Sequence, residues 1–169
     1  MLIYLLDANS FIQAKNFHYR MNVVPGFWEW LIKKHGKIDI CSIDRVYDEL
    51  TKNKNNPDLL HKWSVENKSF FRESTDTDIQ KEFVKIAGFI YSNEHYSVHE
   101  VDRFLGGADP WLIAYAKKFS ATIVTHEVMV PENSKKVKIP NIAKKFGVDY
   151  TEIYELLELT KANLVLKHC

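Results

Sequence analysis

Near its start the chain reads Leu2-Ile3-Tyr4-Leu5-Leu6-Asp7-Ala8-Asn9-Ser10, and this stretch decides the fold class. Five consecutive apolar residues, with no alternation of polar and apolar positions, are typical of a strand buried on both faces of a parallel sheet. Asp7 ends the apolar run, and aspartate is a favourable residue at the start of a helix. The stretch therefore predicts a buried strand that passes directly into a helix, with Asp7 at the junction.

Further apolar runs at residues 38–41, 121–125 and 137–139 predict three more strands. Segments with apolar residues at helical spacing lie between and after these runs, and the alternation of the two patterns is typical of a parallel α/β fold. We therefore predict a three-layer α/β/α sandwich with a central, mainly parallel sheet, as a single domain over residues 1–169 with a helical embellishment at about 57–98. The predicted helices cover residues 11–17, 25–35, 59–66, 79–91, 109–116, 142–146 and 153–159, with a further helix capped by Ser42.

The composition excludes several classes of protein. With 46% hydrophobic and 13% aromatic residues in 169, the chain has the composition of a folded domain rather than of a disordered segment. It contains neither a secretory signal nor the run of about 18 apolar residues that a membrane helix needs, so we expect a soluble, cytoplasmic protein without membrane contact. Two cysteines, Cys41 and Cys169, make no disulfide framework, and Cys169 is expected to be mobile.

The net charge of +1 argues against binding of nucleic acid by bulk electrostatics. It does not argue against a metal-dependent nuclease, because bound ions would supply the local positive charge.

Four acidic residues fall near the predicted carboxyl edge of the sheet: Asp7, Glu49, Asp109 and Glu127. Ligands of open parallel sheets bind at this edge, and clustered carboxylates are the oxygen ligands that Mg²⁺ and Mn²⁺ prefer. The pattern therefore indicates a site for one or two divalent ions.

Each acid also has a purely structural interpretation. Asp7 and Asp109 can cap helices, since Asp109 precedes a proline in a favourable helix-start position. Glu49 can lie on a solvated helix face, and Glu127 can be an ordinary loop acid. Two other acids lie on the same helix as Glu49. Asp48 is rotated by about 100° around the helix axis from Glu49, so the two cannot face one site equally well. Asp44 lies nearer the start of the helix, where its charge complements the helix dipole.

Other polar and aromatic groups are weaker candidates. His95 and His99 have zinc-like spacing, but no further ligand completes a site. Aromatic and basic residues at 17–20 could stack on bases and touch a phosphate backbone, although packing in the core or a loop is the simpler interpretation of Phe17 and Tyr19. Several lysines are expected on solvated faces with a minor chance of phosphate contact: Lys135, Lys136, Lys138, Lys144 and Lys145.

The chain resembles the PIN-domain (PIN-like) family at four motifs, which follow one another in the family's order. These motifs are Leu5-Leu6-Asp7-Ala8-Asn9-Ser10, Val46-Tyr47-Asp48-Glu49-Leu50, Ala108-Asp109-Pro110-Trp111-Leu112-Ile113-Ala114-Tyr115-Ala116 and Ile123-Val124-Thr125-His126-Glu127. The family commonly has aspartate where this chain has Glu127. The region between Glu49 and Asp109 is also longer than in small toxins of the family. This spacing and the Thr125-His126-Glu127 ending favour a less studied PIN-like subfamily, and a VapC-type toxin is the other assignment left open.

The resemblance implies a metal-dependent endoribonuclease that hydrolyses RNA phosphodiester bonds and leaves 5′-phosphate and 3′-hydroxyl ends. Asp7 and Asp109 would bind the principal Mg²⁺ or Mn²⁺, and Glu49 and Glu127 would complete the site or hold a water. Asn9 and Thr125 would orient carboxylates or waters. A toxin of this kind would pair with a small antitoxin protein, and relatives often form homodimers. The alternatives left open are a catalytically weakened module that binds RNA or protein, and a DNA- or structure-specific nuclease on the same fold.

Overall fold

The protein is an α/β/α sandwich around one parallel sheet, and the computed structural model describes residues 1–165. Cys169, with its expected mobility, lies outside the described residues. All strand pairs of the five-stranded sheet are parallel. The strands are β1 (Leu2–Leu6), β2 (Ile38–Ile43), β3 (Phe71–Arg72), β4 (Thr122–Val124) and β5 (Tyr150–Thr151). The predicted fold class is therefore confirmed.

The strand order is β3-β2-β1-β4-β5, which makes β1 the pivot of the sheet. The chain adds β2 and β3 on one side of β1 and then crosses back to add β4 and β5 on the other. Leu5 pairs with Cys41 of β2 and with Ile123 of β4, and it is completely buried. In open sheets of this kind the reversal of strand order leaves a crevice at the carboxyl ends of the two strands concerned, here β1 and β4.

Helices cover both faces of the sheet. Two shorter turns accompany them, a π-helical turn at Ala14–His18 and a 3₁₀ turn at Lys68–Phe70. Within residues 1–165, no helix combines the length and apolar character needed to cross a membrane. The helices are α1 (Ala8–Gln13), α2 (Pro25–Ile32), α3 (Asp44–Leu50), α4 (Leu59–Glu66), α5 (Thr77–Ser92), α6 (Val98–Leu105), α7 (Asp109–Phe119), α8 (Ile139–Phe146) and α9 (Ile153–Leu159).

Helix α7 is a buried helix that places Asp109 at the sheet edge. Pro110 occupies the first turn, where a missing N–H costs nothing, and the helix ends at Ser120 in a left-handed conformation with φ of 50°. Helix α5 packs along it, with the rings of Phe83 and Trp111 stacked at 4.1 Å between centroids. The start of α7 is thus held in place by packing along the length of the helix.

An aromatic cluster joins α1 to the segment after β2. Phe11 of α1 is completely buried and lies within 6.0 Å, between ring centroids, of Trp63, Phe70 and Phe71. The segment at 57–98 is therefore not only a helical embellishment, because it also contributes edge strand β3 and part of the core under α1.

Three details of the predicted elements are wrong. Residues 137–139 form no strand, since Ile139 is already the first residue of α8. Ser42 does not cap α3, because it lies within β2 and its hydroxyl donates to the carbonyl oxygen of Leu6 at 2.6 Å. The two-residue strands β3 and β5 escaped prediction because such short segments carry little periodicity. Helix α6 was also missed, although Val101 and Phe104 lie at helical spacing on its buried side.

Phe11 provides a test of this packing. Phe11→Ala should lower the free energy of unfolding by about 3–5 kcal/mol, because it leaves a cavity among three other rings. Phe17→Ala, at a phenylalanine that is 67% exposed, should change it by less than about 0.5 kcal/mol. Urea denaturation of both variants measures the difference, and equal losses would contradict the packing.

Candidate active site

Asp7 is a buried carboxylate at the carboxyl end of β1. Its exposed fraction is 2%, and it caps α1 by accepting the backbone N–H of Ser10 at 2.7 Å on Oδ1. Its other oxygen, Oδ2, accepts the hydroxyl of Thr125 at 2.6 Å. Each carboxylate oxygen has two lone pairs, so one hydrogen bond per oxygen fixes the group and leaves acceptor capacity for a ligand.

Buried hydroxyl groups connect the strand ends around Asp7. Ser10 Oγ donates to the carbonyl oxygen of Val124 at 3.0 Å, and the N–H of Asp7 donates to the same oxygen at 3.1 Å. The hydroxyl of Thr125 also accepts the N–H of Glu127 at 3.0 Å. Thr125 therefore lies where it was expected, between two of the candidate acids. Ser10 was not predicted as part of the site, since its long-range partner leaves no local sequence signal.

Asp109 is the first residue of α7 and not its cap. The cap position belongs to Ala108, whose side chain cannot accept a hydrogen bond, so the capping interpretation of Asp109 is wrong. The Asp109 side chain is partly buried, and among residues 1–165 no group donates a hydrogen bond to its carboxylate. The Asp109 carboxylate has thus lost part of its hydration, and no hydrogen-bond donor among residues 1–165 compensates for that loss.

Glu49 reaches the start of α7 from α3. Its Oε1 accepts the N–H of Ala108, the N-cap residue of α7, at 2.8 Å, so it satisfies one of the free backbone donors at the start of that helix. A Cβ at Gly107 would lie 3.2 Å from the same oxygen, which explains a residue without a side chain there. Glu49 and Asp48 are both exposed, but among residues 1–165 only Glu49 contacts the start of α7, and Asp44 instead accepts the hydroxyl of Ser74.

Glu127 is tied to α8 by both oxygens. Oε1 forms an ion pair with Lys138 Nζ at 2.6 Å, and Oε2 accepts the backbone N–H of Ile139 at 2.8 Å. The side chain is only 10% exposed. Glu127 is therefore more than a loop acid, because it neutralises a lysine and caps the start of α8. Lys138, in turn, does not lie on a free solvated face.

Asp109 lies within electrostatic range of all three other acids. Burial, followed by repulsion from Asp7, Glu127 and Glu49, raises the pKa of Asp109 to about 8, against the opposing charge of Arg103. Burial also raises the pKa of Asp7 to about 6, with a smaller contribution from Glu127. The structure thus brings the four predicted residues into one electrostatic environment, in which Asp109 is protonated at neutral pH.

The remaining sequence candidates do not join this group. Asn9 is exposed on α1, and within the described part of the chain its side chain makes no hydrogen bond. His99 lies on α6 with its side chain 87% exposed, and His95 precedes that helix. Arg103, which was not predicted, is the cation whose charge acts on both Asp109 and Glu127.

The donor set suits a hard divalent cation, because carboxylate oxygens are what Mg²⁺ and Mn²⁺ bind. As the side chains stand in residues 1–165, no three carboxylate, imidazole or thiol groups are near enough to one another to enclose an ion. Asp7 and Asp109 fit the role of ligands in their chemistry and position. Glu49 and Glu127 would have to share or release the N–H groups that they now accept.

The fold and this site define an α/β protein with a carboxylate cluster at the point where the strand order of a parallel sheet reverses. The chain belongs to the family described as Domain of unknown function (DUF4411), whose model matches residues 4–164. No curated protein matches the chain.

The raised pKa values of Asp7 and Asp109 predict a pH dependence of stability. Both pKa values are higher in the folded than in the unfolded protein, so the folded state binds more protons. Stability therefore falls as pH rises from about 4, where the unfolded carboxyl groups titrate, up to about 6 for Asp7 and about 8 for Asp109. In EDTA, Asp109→Asn should therefore be more stable than the wild type at pH 8.5, by on the order of 1 kcal/mol or more, and nearly equal to it at pH 4.

Urea denaturation at the two pH values measures this difference. Asp48→Asn, at an exposed acid of the same region, should follow the wild type at both. A pH dependence of Asp109→Asn that is identical to that of the wild type would contradict the electrostatic account of the site.

Proposed function

We propose that this protein is a Mg²⁺- or Mn²⁺-dependent endoribonuclease of PIN-like type, which hydrolyses RNA phosphodiester bonds. The observation that supports the proposal most is the raised pKa of Asp109, caused by burial and by three further carboxylates: Asp7 after β1, Glu127 after β4 and Glu49 on α3. Acids that repel one another reduce the stability of the metal-free protein, and a divalent ion would relieve that repulsion.

Asp7 and Asp109 are the proposed ligands of the principal ion. Asp7 is held by Thr125 and by the start of α1, so its free lone pairs have a defined direction. Asp109 would have to give up its proton to bind the ion, since a carboxyl group with a pKa of about 8 holds a proton at neutral pH. When bound, the ion would supply an activated water and neutralise charge on the phosphate.

Glu49 and Glu127 have a proposed supporting role. Each is a hydrogen-bond acceptor at the start of a helix, and each oxygen retains a second lone pair for a metal-bound water. Thr125 is a positioning residue, because its hydroxyl orders Asp7 and accepts the N–H of Glu127. Arg103 and Lys138 are cations beside the acids that could contact a phosphate.

The resemblance to VapC-type proteins extends the proposal to a biological role. The protein would be the toxin of a pair, with a small antitoxin protein as partner and a homodimer as the assembled form. Growth arrest on expression of the wild type, absent for Asp7→Asn, would support this role. If cells that contain the active nuclease grow normally, the protein is not the toxin of a toxin–antitoxin pair.

A second candidate function is that of a weakened PIN-like module that binds RNA or protein. It is favoured by the hydrogen bonds that hold Glu49 and Glu127 away from a closed metal site. A rise in melting temperature with Mn²⁺ favours the enzyme, and no rise favours the binding module. A panel of RNA, single-stranded DNA and flap substrates separates the ribonuclease from a DNA- or structure-specific nuclease.

Substitution of Asp7 tests the proposed site directly. Loss of an outer partner of a metal site costs about 10- to 100-fold in activity, so Thr125→Val should lower Mn²⁺-dependent RNA cleavage by that factor and Asp7→Asn by more. Asparagine still caps a helix, so Asp7→Asn should fold.

Cleavage of labelled single-stranded RNA, with circular dichroism of each variant, provides the measurement. Asp48→Asn is the matched control and should cleave like the wild type, since Asp48 is exposed and is not among the acids that raise the pKa of Asp109. Undiminished cleavage by folded Asp7→Asn would overturn the assignment of the metal site.

A further inference from the structure

A row of four aromatic rings adjoins the acids, and none of the four residues is among the proposed ligands of the ion. Ring centroids are 6.4 Å apart between Phe17 and His18, 6.0 Å between His18 and Tyr154, and 6.1 Å between Tyr154 and His126. The row connects three elements, since Phe17 and His18 follow α1, His126 follows β4, and Tyr154 lies on α9. We call these four residues the ring row.

The ring row adjoins the acid cluster through the chain itself. His126 stands between Thr125, whose hydroxyl binds Asp7, and Glu127, which acts electrostatically on Asp109. Tyr154 comes three residues after β5, whose carboxyl end lies beside that of β4. The rings therefore flank the edge at which the proposed nuclease would hold a phosphodiester.

The ring row is open to solvent where a buried helix face would be expected. Phe17 is 67% exposed and Tyr154 is 40% exposed, and His18 is also exposed. In contrast, the neighbouring Tyr19 is stacked on Phe27 at 4.1 Å between centroids. The sequence-based expectation of core or loop packing therefore holds for Tyr19 but not for Phe17.

The π-helical turn at Ala14–His18 explains this exposure. A regular α-helix would continue the buried face of Phe11 and Ala14 to position 17 or 18. The wider turn breaks that periodicity and leaves two adjacent rings in water. Single π-helical turns occur frequently at functional sites, which agrees with a surface retained for binding.

We propose that the ring row is a stacking surface for nucleobases of single-stranded RNA next to the bond that is cut. This inference rests on the proposed function, because it assigns the substrate's bases to one flank of that site. Exposed aromatic rings beside a phosphodiester site suit unpaired bases, whose faces stack on aromatic side chains without regard to sequence.

If the ring row stacks on nucleobases, the protein should recognise the bases of single-stranded RNA and not only its sugar-phosphate backbone. In EDTA, where metal-dependent cleavage is absent, the wild type should bind a fluorescein-labelled single-stranded RNA 10-mer about tenfold more tightly than an abasic strand of the same length. Phe17→Ala and Tyr154→Ala should each bring the two affinities closer together, and Tyr154→Phe, which keeps the ring, should not. Fluorescence anisotropy measures both affinities.

A matched control is Tyr91→Ala, since Tyr91 is a tyrosine of α5 that is 69% exposed and does not belong to the ring row. This variant should discriminate between the strands like the wild type. Melting temperatures identify any variant that binds poorly because it is destabilised. If Tyr154→Ala is destabilised, Phe17→Ala carries the comparison, because Phe17 is 67% exposed and its loss should hardly change stability.

The possible outcomes test the stacking surface independently of the proposed nuclease activity. Equal wild-type affinity for the two strands, or unchanged discrimination in Phe17→Ala and Tyr154→Ala, overturns the stacking surface, whether or not the protein cleaves RNA. Base-dependent binding that the two alanine variants lose establishes the surface, even if Mg²⁺ and Mn²⁺ support no cleavage and the nuclease proposal fails.

Discussion

The hydrogen bond from Thr125 to Asp7 is the interaction on which the rest of the site depends. It joins the carboxyl ends of β1 and β4, the two strands between which the sheet reverses its order, and it is buried. A buried carboxylate without such donors would be strongly unfavourable. Here Ser10 and Thr125 donate hydrogen bonds to the Asp7 carboxylate, and both residues also connect the ends of β1 and β4. The same contacts therefore stabilise the fold and fix the direction of the carboxylate.

Asp109, at the same edge of the sheet, lacks the hydrogen bonds that stabilise the carboxylate of Asp7. It is partly buried, accepts no hydrogen bond from residues 1–165, and is surrounded by three carboxylates, so its acid form is favoured. Packing of α7 against α5 holds it there despite the repulsion. Such a combination of rigid placement and unfavourable charge is typical of functional sites, where a ligand restores the balance. The hydrogen bonds at Glu49 and Glu127 limit the strain, because each of these acids also serves the start of a helix.

Local patterns sufficed to predict the strand after Met1, most of the helices and the position of Asp7 and Asp109, since each depends on the few residues around it. Glu49 and Glu127 were expected near the edge, but their partners at Ala108, Lys138 and Ile139 depend on how distant segments pack. The same holds for the hydroxyl contact of Ser42, which looked like a helix cap from its neighbours alone. The π-helical turn that exposes Phe17 could not be predicted either, because the apolar spacing of residues 11–17 is compatible with a regular α-helix.

The central claim is that a divalent ion binds where Asp109 meets the other acids, and calorimetric titration of the protein with Mn²⁺ at pH 7 tests it most directly. Because the pKa of Asp109 is about 8 without metal, binding should release about one proton, seen as a heat that changes between buffers of different ionisation enthalpy. Asp109→Asn should bind far more weakly and release none. No saturable binding by the wild type, or binding and proton release unchanged in Asp109→Asn, would contradict the account.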